Sequence, residues 1–454
     1  MVKRLNEGVA PAYLFLCLVL GGSAQGIWVN AVLQLLGLVI LAWTALAPAR
    51  EPLLPPARQL LVIAMIALAV VAVQLVPLPA AWWPQLPGRG KIASDFLVLD
   101  IAVPALPLSL TPYGSLSDLL ALIPSLALFC AIVRLKAYRT GWLATALLAG
   151  TIAGILLGAL QVASSESAVS AWYLYAQSNF GVATGFFANA NHMAILLVIA
   201  LPFLGAILGS AKGANTQRNT AVAAVVAGLT VVIALGIFLN GSLAGYGLSL
   251  PVAVTTALLV LPHKRSLRLG AVALAALLVV GALGAIATSA TRTDRFGQDA
   301  ATSVQSRQEM LVTTTRAIRD FIPWGSGLGS FRQVYKLYET RDQITTTYVI
   351  HAHDDYVELA LELGLPGILL MIAFLAWWAR AAWRAWRYAD AGIYARAASI
   401  ASAAILVHSL VDFPLRTAAI SAAFAMCLAL LVERRAPVAR EKSDLWPTRH
   451  VVLR

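Results

Sequence analysis

Charged residues are scarce in this chain. Only 12% of its 454 residues are Asp, Glu, Lys or Arg, whereas a soluble protein carries about 25%. That fraction leaves too few polar groups to cover the surface of a soluble protein of this length. Hydrophobic residues make up 60% of the chain and the mean hydropathy is +0.79. The composition therefore predicts an integral membrane protein.

Cysteine is equally scarce. Cys17, Cys130 and Cys427 all lie within apolar stretches, which excludes a disulfide framework and a cysteine-rich metal site. The sequence also lacks a heptad pattern, a solenoid period and low-complexity tracts. No metal and no cofactor is predicted.

Twelve apolar segments are long enough to cross a hydrocarbon core of roughly 30 Å. The first of them also fits a cleavable signal peptide. The segments run over approximately 10–25, 28–48, 59–77, 116–133, 142–162, 191–210, 220–238, 243–262, 268–288, 356–379, 395–412 and 417–433.

Basic residues fix the predicted orientation. If the N-terminus is cytoplasmic, two thirds of the 33 Lys and Arg fall on cytoplasmic segments, as the positive-inside rule requires. Most of the others fall in one external segment, 289–354. The net charge of +12 is thus mainly a topological signal, and no nucleic acid partner is predicted.

The predicted organisation has four parts. Spans one to nine occupy 1–288, a helical periplasmic lid occupies 289–354, spans ten to twelve occupy 355–433, and a basic cytoplasmic tail occupies 434–454. A second external segment, 78–115, is rich in proline and predicts an irregular cap with Trp82 and Trp83 as interfacial anchors. The fold class is all-α.

The lid contains two predicted amphipathic helices. In the first, Met310, Leu311, Ala317, Ile318 and Phe321 form the apolar stripe; in the second, the stripe is Phe331, Val334, Tyr335 and Tyr338.

Arg307 precedes the first stripe and is predicted to face the same side of that helix. Two interpretations of Arg307 remain open, a snorkelling or ion-paired arginine and a guanidinium that grips an anionic ligand.

Carboxylates collect where the lid enters span ten. On a helix, Asp354, Glu358 and Glu362 share one face, with His351 and Asp355 as a neighbouring pair. Ionisable groups inside a span are costly, so they predict a water-filled cavity or a partner such as Arg307.

Two further polar clusters lie at the same predicted membrane face. Asn189, Asn191 and His192 open span six, where they either cap the helix or bind sugar hydroxyls. Asp412 and Arg416 follow His408 at the end of span eleven. They either pair with each other, or Arg416 contacts an anion.

Several of these blocks stand in a recognisable order. They are Gly185-Phe186-Phe187-Ala188-Asn189-Ala190-Asn191-His192, Ser306-Arg307-Gln308-Glu309, Pro323 with Gly325-Ser326-Gly327-Leu328-Gly329-Ser330-Phe331, Ala352-His353-Asp354-Asp355-Tyr356, Glu362-Leu363-Gly364-Leu365-Pro366-Gly367 and His408-Ser409-Leu410-Val411-Asp412-Phe413-Pro414-Leu415-Arg416. Over roughly 180–430, the chain resembles the O-antigen ligase and polymerase superfamily of bacterial membrane glycosyltransferases.

The resemblance implies a C-type glycosyltransferase fold in the bacterial inner membrane with its active site at the periplasmic face. It implies a glycan donor on undecaprenyl diphosphate and an acceptor that is a glycan or lipid A core, without a metal. His353 matches the catalytic histidine of the family, and Arg307 matches an arginine assigned to the donor diphosphate.

Two departures from the family pattern matter. Leu243 follows Ser242 where the family often has arginine, and Asp354 follows His353 where the family usually has asparagine. Arg416 is therefore predicted to replace the missing arginine.

The predicted chemistry needs a base for the acceptor hydroxyl and a cation for the leaving diphosphate. His353 is the predicted base, Glu358 is the alternative base, and Arg307 supplies the charge. Asp354, Asp355, Glu362 and Asp412 are predicted to contact substrate with Arg416, Asn189, Asn191 and His192.

Ligase and polymerase activities remain equally compatible with the sequence. A proton-coupled secondary transporter is the alternative of a different class, because Glu358 and Glu362 lie at a span. A non-catalytic component of a polysaccharide export complex is the third.

Overall fold

The computed structural model describes most of the chain. It describes residues 2–23, 27–48, 52–164, 170–211, 215–260, 270, 274, 277–278, 295–341, 344, 349–388 and 391–433. The ninth predicted span, 268–288, lies almost wholly outside the described residues, and the predicted basic tail, 434–454, lies outside them entirely.

The structure is 75% helical, with almost no strands among the described residues. One short antiparallel ribbon, β1 (Pro77–Leu78) with β2 (Leu106–Pro107), pairs Pro77 with Pro107. The helices are α1 (Val2–Leu20), α2 (Trp28–Leu46), α3 (Pro55–Gln74), α4 (Gly90–Val98), α5 (Pro112–Ala121), α6 (Ile123–Cys130), α7 (Thr140–Ala163), α8 (Ala190–Ser210), α9 (Thr216–Asn240), α10 (Leu243–Val260), α11 (Arg295–Phe321), α12 (Phe331–Tyr338), α13 (Asp355–Arg387), α14 (Gly392–His408) and α15 (Ala418–Val432).

The chain is an all-α polytopic membrane protein. Eight helical segments of the described chain are long and apolar enough to cross a membrane, and three shorter apolar helices accompany them. These eleven segments coincide with eleven of the twelve predicted spans. The predicted fourth span is a composite of α5, α6 and a π-helical turn, Ala131–Leu135.

Small residues let the central helices approach closely. α8 packs against α10, α14 and α9, and most of its side chains are buried. A Cβ added to Gly205 would lie 2.6 Å from the Thr256 side chain, and one added to Gly21 would lie 2.8 Å from Ala418 Cβ. Such contacts are how helices associate where lipid is as apolar as the side chains. α1 joins this core through Leu14 and Leu18.

The lid helices pack together largely as the sequence predicts. Met310, Ala317 and Phe321 of α11 share one apolar cluster with Phe331 and Val334 of α12. One position of the predicted stripe is wrong. Leu311 is 43% exposed, and Thr313 and Thr314 are buried instead, because their positions on the helix fall between Met310 and Ala317.

The tenth predicted span is not one continuous helix. Gly364 has φ +62° and ψ −146°, which breaks α13 nine residues after its start. The break frees backbone groups that the Gly325 turn satisfies. Ser326 N–H donates to Leu361 O, Gly327 N–H donates to Glu362 O, and Leu365 N–H donates to Pro323 O. Asp355, Glu358 and Glu362 therefore lie on the part of α13 that precedes the break.

Two buried polar residues fasten the end of α3 and the segment 78–115 to this turn. Arg89 is fully buried and donates to the carbonyls of Pro87, Leu108 and Gly325 at 2.6–2.8 Å. Desolvation lowers its pKa to about 10. Gln74, at the end of α3, donates to the carbonyl of Glu362 at 3.0 Å.

The predicted interfacial role of Trp83 is wrong. Trp83 is only 2% exposed, whereas Trp82 is 65% exposed. The indole N–H of Trp83 donates to Pro107 O at 2.8 Å, so this ring packs under the β-ribbon.

Candidate active site

Three histidine rings surround one phenylalanine at the end of the helix bundle where α14 stops. The Phe413 ring centroid lies 5.0 Å from that of His192, 4.3 Å from that of His351 and 4.9 Å from that of His353. These histidines come from α8 and from the loop before α13. The structure therefore brings together residues that lie more than 200 positions apart in sequence.

Asp412 is the acidic centre of this histidine cluster. Its Oδ1 lies 3.1 Å from His353 Nδ1 and 4.0 Å from His192 Nε2, and the carboxylate is fully buried. Burial alone would raise the pKa of Asp412, but the hydrogen bond with His353 and the neighbouring histidines lower it. These contacts therefore favour the carboxylate form of Asp412.

His353 is the accessible member of the pair. Its side chain is 29% exposed, whereas that of Asp412 has no exposed surface. In the tautomer in which Nδ1 donates this hydrogen bond to Asp412, Nε2 carries the lone pair. In this tautomer, Nε2 of His353 can accept a hydrogen bond.

Arg416 forms the centre of a second cluster, made of carboxylates. Its guanidinium nitrogens lie 2.9 Å from Asp118, 3.1 Å from both Glu358 and Glu362, and 3.8 Å from Asp355. Burial alone would lower the pKa of Arg416, but these carboxylates raise it well above its ordinary value.

This carboxylate cluster changes three of the predictions from sequence. The alternative in which Arg416 pairs with Asp412 is wrong, because Asp412 contacts histidines. Glu358 and Glu362 have Arg416, not Arg307, as their cationic partner. Four carboxylates occupy the guanidinium of Arg416, so a direct contact with an anionic substrate is electrostatically disfavoured there.

Glu358 is held on both oxygens. Oε1 lies 2.8 Å from His351 Nδ1, and Oε2 accepts from Ala352 N–H at 2.8 Å. Burial alone would lower the pKa of His351, but the Glu358 carboxylate raises it above its ordinary value. The predicted pairing of His351 with Asp355 is wrong, since Asp355 instead accepts from Ser409 Oγ at 2.8 Å.

Arg307 of α11 is the candidate cation of the site. It is half-buried, and among the described residues it has no hydrogen bond or ion pair. It interacts electrostatically with His408, which stands one helical turn before Asp412. A guanidinium without a protein carboxylate keeps its charge and donors available for an anion.

Three of the predicted substrate-binding residues serve the backbone or another side chain. Asn189 caps α8 by accepting from Asn191 N–H at 2.8 Å, and Asp354 caps α13 by accepting from Tyr356 N–H and Val357 N–H at 2.9 and 3.0 Å. Asn191 Oδ1 accepts from Ser242 Oγ at 2.7 Å. The capping alternative for Asn189 is thus what the structure shows.

Sequence reasoning missed Phe413, Asp118 and Ser409 as members of these clusters. Asp118 lies on α5, nearly 300 residues from Arg416, and it carried a usable signal as an acidic residue near an apolar segment. Phe413 carried none, because an aromatic residue beside Pro414 is ordinary in a loop.

Fold and site together define a polytopic all-α membrane protein whose ionisable side chains converge at one end of the helix bundle. Residues 228–372 match the family model described as O-antigen ligase. This match confirms the resemblance to the O-antigen ligase and polymerase superfamily, a membrane enzyme family of the transferase kind. The matched segment contains Arg307, His353 and Glu358. No curated protein matches the chain significantly.

Proposed function

We propose that the protein is a glycosyltransferase of the inner membrane that moves a glycan from undecaprenyl diphosphate to a sugar hydroxyl at the periplasmic face. The observation that carries the proposal is the pair of His353 and Asp412: the His353 side chain is partly exposed, and its Nδ1 lies against the buried Asp412 carboxylate. This is the arrangement of a general base and the carboxylate that orients it.

The reaction is a displacement at the anomeric carbon of the donor sugar. His353 Nε2 accepts the proton of the acceptor hydroxyl as its oxygen attacks, and the bond from the anomeric carbon to the diphosphate oxygen breaks. The electron pair leaves with the lipid diphosphate. The proton on His353 then passes to the diphosphate or to solvent, and the base is restored.

Arg307 is the group proposed to stabilise the leaving diphosphate. Negative charge grows on the departing oxygen, and a guanidinium fixed before the reaction stabilises that charge without reorganisation. Arg307 qualifies because it has no carboxylate partner among the described residues, whereas Arg416 has four. The two arginines therefore have different proposed roles.

Reconstituted protein tests the reaction directly. Purified protein would be incubated with an undecaprenyl-diphosphate oligosaccharide, with and without a lipid A core acceptor, and products would be separated by size. Transfer of one glycan to the core identifies a ligase, and a ladder without the core identifies a polymerase. Absence of any transfer under conditions where the donor binds would overturn the proposal.

A further inference from the structure

The backbone of His353 needs external support. Its φ is +53°, a left-handed conformation that is strained for a non-glycine residue. Such a residue keeps this conformation only when its neighbours on both sides are fixed. Both neighbours of His353 are fixed by residues of α13.

The residues before His353 are held by Glu358. One carboxylate oxygen contacts His351 Nδ1 and the other accepts from Ala352 N–H, each at 2.8 Å. The methyl group of Ala352 is also buried in the apolar cluster of the lid. Glu358 therefore fixes the side chain of His351 and the backbone of Ala352, the two residues that precede His353.

The residues after His353 are held by the start of α13. Asp354 caps the helix, and Asp355 N–H donates to Ser409 O at 3.0 Å. Ser409 lies three residues before Asp412. The contact therefore fixes the start of α13 next to the segment that contains Asp412. The imidazole is thereby brought within hydrogen-bond distance of Asp412.

Glu358 itself requires a counterion. It is 1% exposed, and a buried carboxylate is stable only when paired and hydrogen-bonded. Arg416 supplies the positive charge at 3.1 Å and joins Glu358 to Glu362 through the same nitrogen. Glu358 is thus buried and contacted by His351, Ala352 and Arg416, so its carboxylate is not accessible to an acceptor hydroxyl.

We propose that Glu358 is a positioning residue that holds His353 in its reactive conformation, with Arg416 as the counterion of Glu358. The proposal rests on the role of His353 under the proposed function. It replaces the alternative in which Glu358 is itself the base. Glu358 and Arg416 then act on the reaction only through His353.

A double-mutant cycle tests this dependence. Transfer rates would be measured with radiolabelled lipid-diphosphate donor for wild type, Glu358→Gln, His353→Ala and the double variant. We expect Glu358→Gln to lower kcat by about 10²-fold with KM for the donor unchanged. In the His353→Ala background, Glu358→Gln should cause no further loss, because residues that act as a unit are non-additive.

The matched control is Glu339→Gln, at a half-buried glutamate on the lid outside the carboxylate cluster, which should leave kcat unchanged. His351→Gln is the second variant, since it removes one contact of Glu358 and keeps the carboxylate paired with Arg416. We expect it also to lower kcat without changing KM, so it decides the question if Glu358→Gln does not fold.

The outcomes separate the two proposals. Losses that multiply in the double variant, or a change in KM alone, would overturn the positioning role while leaving His353 as the base. Full activity of His353→Ala would overturn the proposed function itself, whatever Glu358→Gln does.

Discussion

Nδ1 of His353 lies 3.1 Å from Oδ1 of Asp412, and this contact joins the end of the lid to the segment that follows α14. The two residues are 59 positions apart, and a whole membrane helix pair separates them along the chain. Asp412 is buried and His353 is accessible, and the proposed roles rest on this difference: Asp412 orients the ring and His353 reacts.

Replacing Asp412 by asparagine should disable the base without removing the side chain. The amide is isosteric, but it no longer enforces the tautomer with the lone pair on Nε2. We expect kcat to fall by roughly 10²-fold or more, as for other carboxylates that orient a histidine base, with little change in donor KM. Steady-state transfer assays measure both quantities.

Asp95→Asn is the control for this prediction, because Asp95 is an exposed carboxylate on α4. It should transfer at the wild-type rate. Equal rates for Asp412→Asn and wild type would show that the carboxylate does not orient His353.

Arg307 should matter for charge and for geometry. Removing the guanidinium as Arg307→Ala removes stabilisation of the leaving diphosphate, which we expect to cost about 10²–10³-fold in kcat. Arg307→Lys should recover only part of that loss, because lysine keeps the charge but lacks the planar fork. Transfer rates for the two variants measure the difference.

Arg316→Ala provides the comparison on the same helix, since Arg316 is exposed. Its rate should match wild type. If Arg307→Lys is fully active, bidentate diphosphate binding is excluded, and if Arg307→Ala is fully active, the residue has no part in the reaction.

Gly364 should be intolerant of any side chain. Its φ is +62°, and an added Cβ would lie 2.3 Å from Pro323 O and 2.5 Å from Gly325 N. We expect Gly364→Ala to destabilise the protein by more than about 1 kcal/mol, seen as a lower melting temperature in detergent. Gly228→Ala is the control, because a Cβ there meets nothing within 4 Å. Equal melting temperatures would contradict the tight packing of the Gly325 turn on Gly364.

His351 should make stability depend on pH. Burial alone would lower its pKa, but Glu358 raises it above the ordinary value of 6.5. A group with a raised pKa stabilises the folded protein fully when the pH is below the ordinary pKa of that group. This contribution is lost as the pH rises through the raised pKa. The melting-temperature advantage of wild type over His351→Gln should therefore shrink as pH increases above about 6.5. An advantage that grows with pH would contradict the ion pair with Glu358.

Hydropathy predicted the fold well because a membrane span depends only on the local hydropathy of about 20 consecutive residues. Eleven of the predicted spans correspond to described helices, and the stripe of α12 was predicted residue by residue. The interruption at Gly364 escaped prediction, since Gly364-Leu365-Pro366-Gly367 occurs inside an otherwise apolar stretch. Only the backbone groups of the Gly325 turn, distant in sequence, make that break stable.

The sequence predicted many residues of the candidate site, but it did not predict which of them contact each other. Spacing placed Glu358 and Glu362 on one helix face, and capping was a correct alternative for Asn189. The partner of each charge depends on tertiary packing. The sequence left open whether Arg416 pairs with Asp412 or contacts an anion, whereas in the structure Arg416 contacts carboxylates on α5 and α13. Arg89 and Gln74 were missed for the same reason, because their acceptors are backbone carbonyls that no side-chain pattern reveals.

The single-turnover transfer rate of His353→Ala tests the central claim most directly. Purified variant and wild type would be loaded with undecaprenyl-diphosphate oligosaccharide and mixed with acceptor, and donor binding would be measured separately. The account predicts a rate lower by about 10²–10⁴-fold, the usual contribution of a general base, with donor affinity unchanged. A wild-type rate in His353→Ala would contradict it.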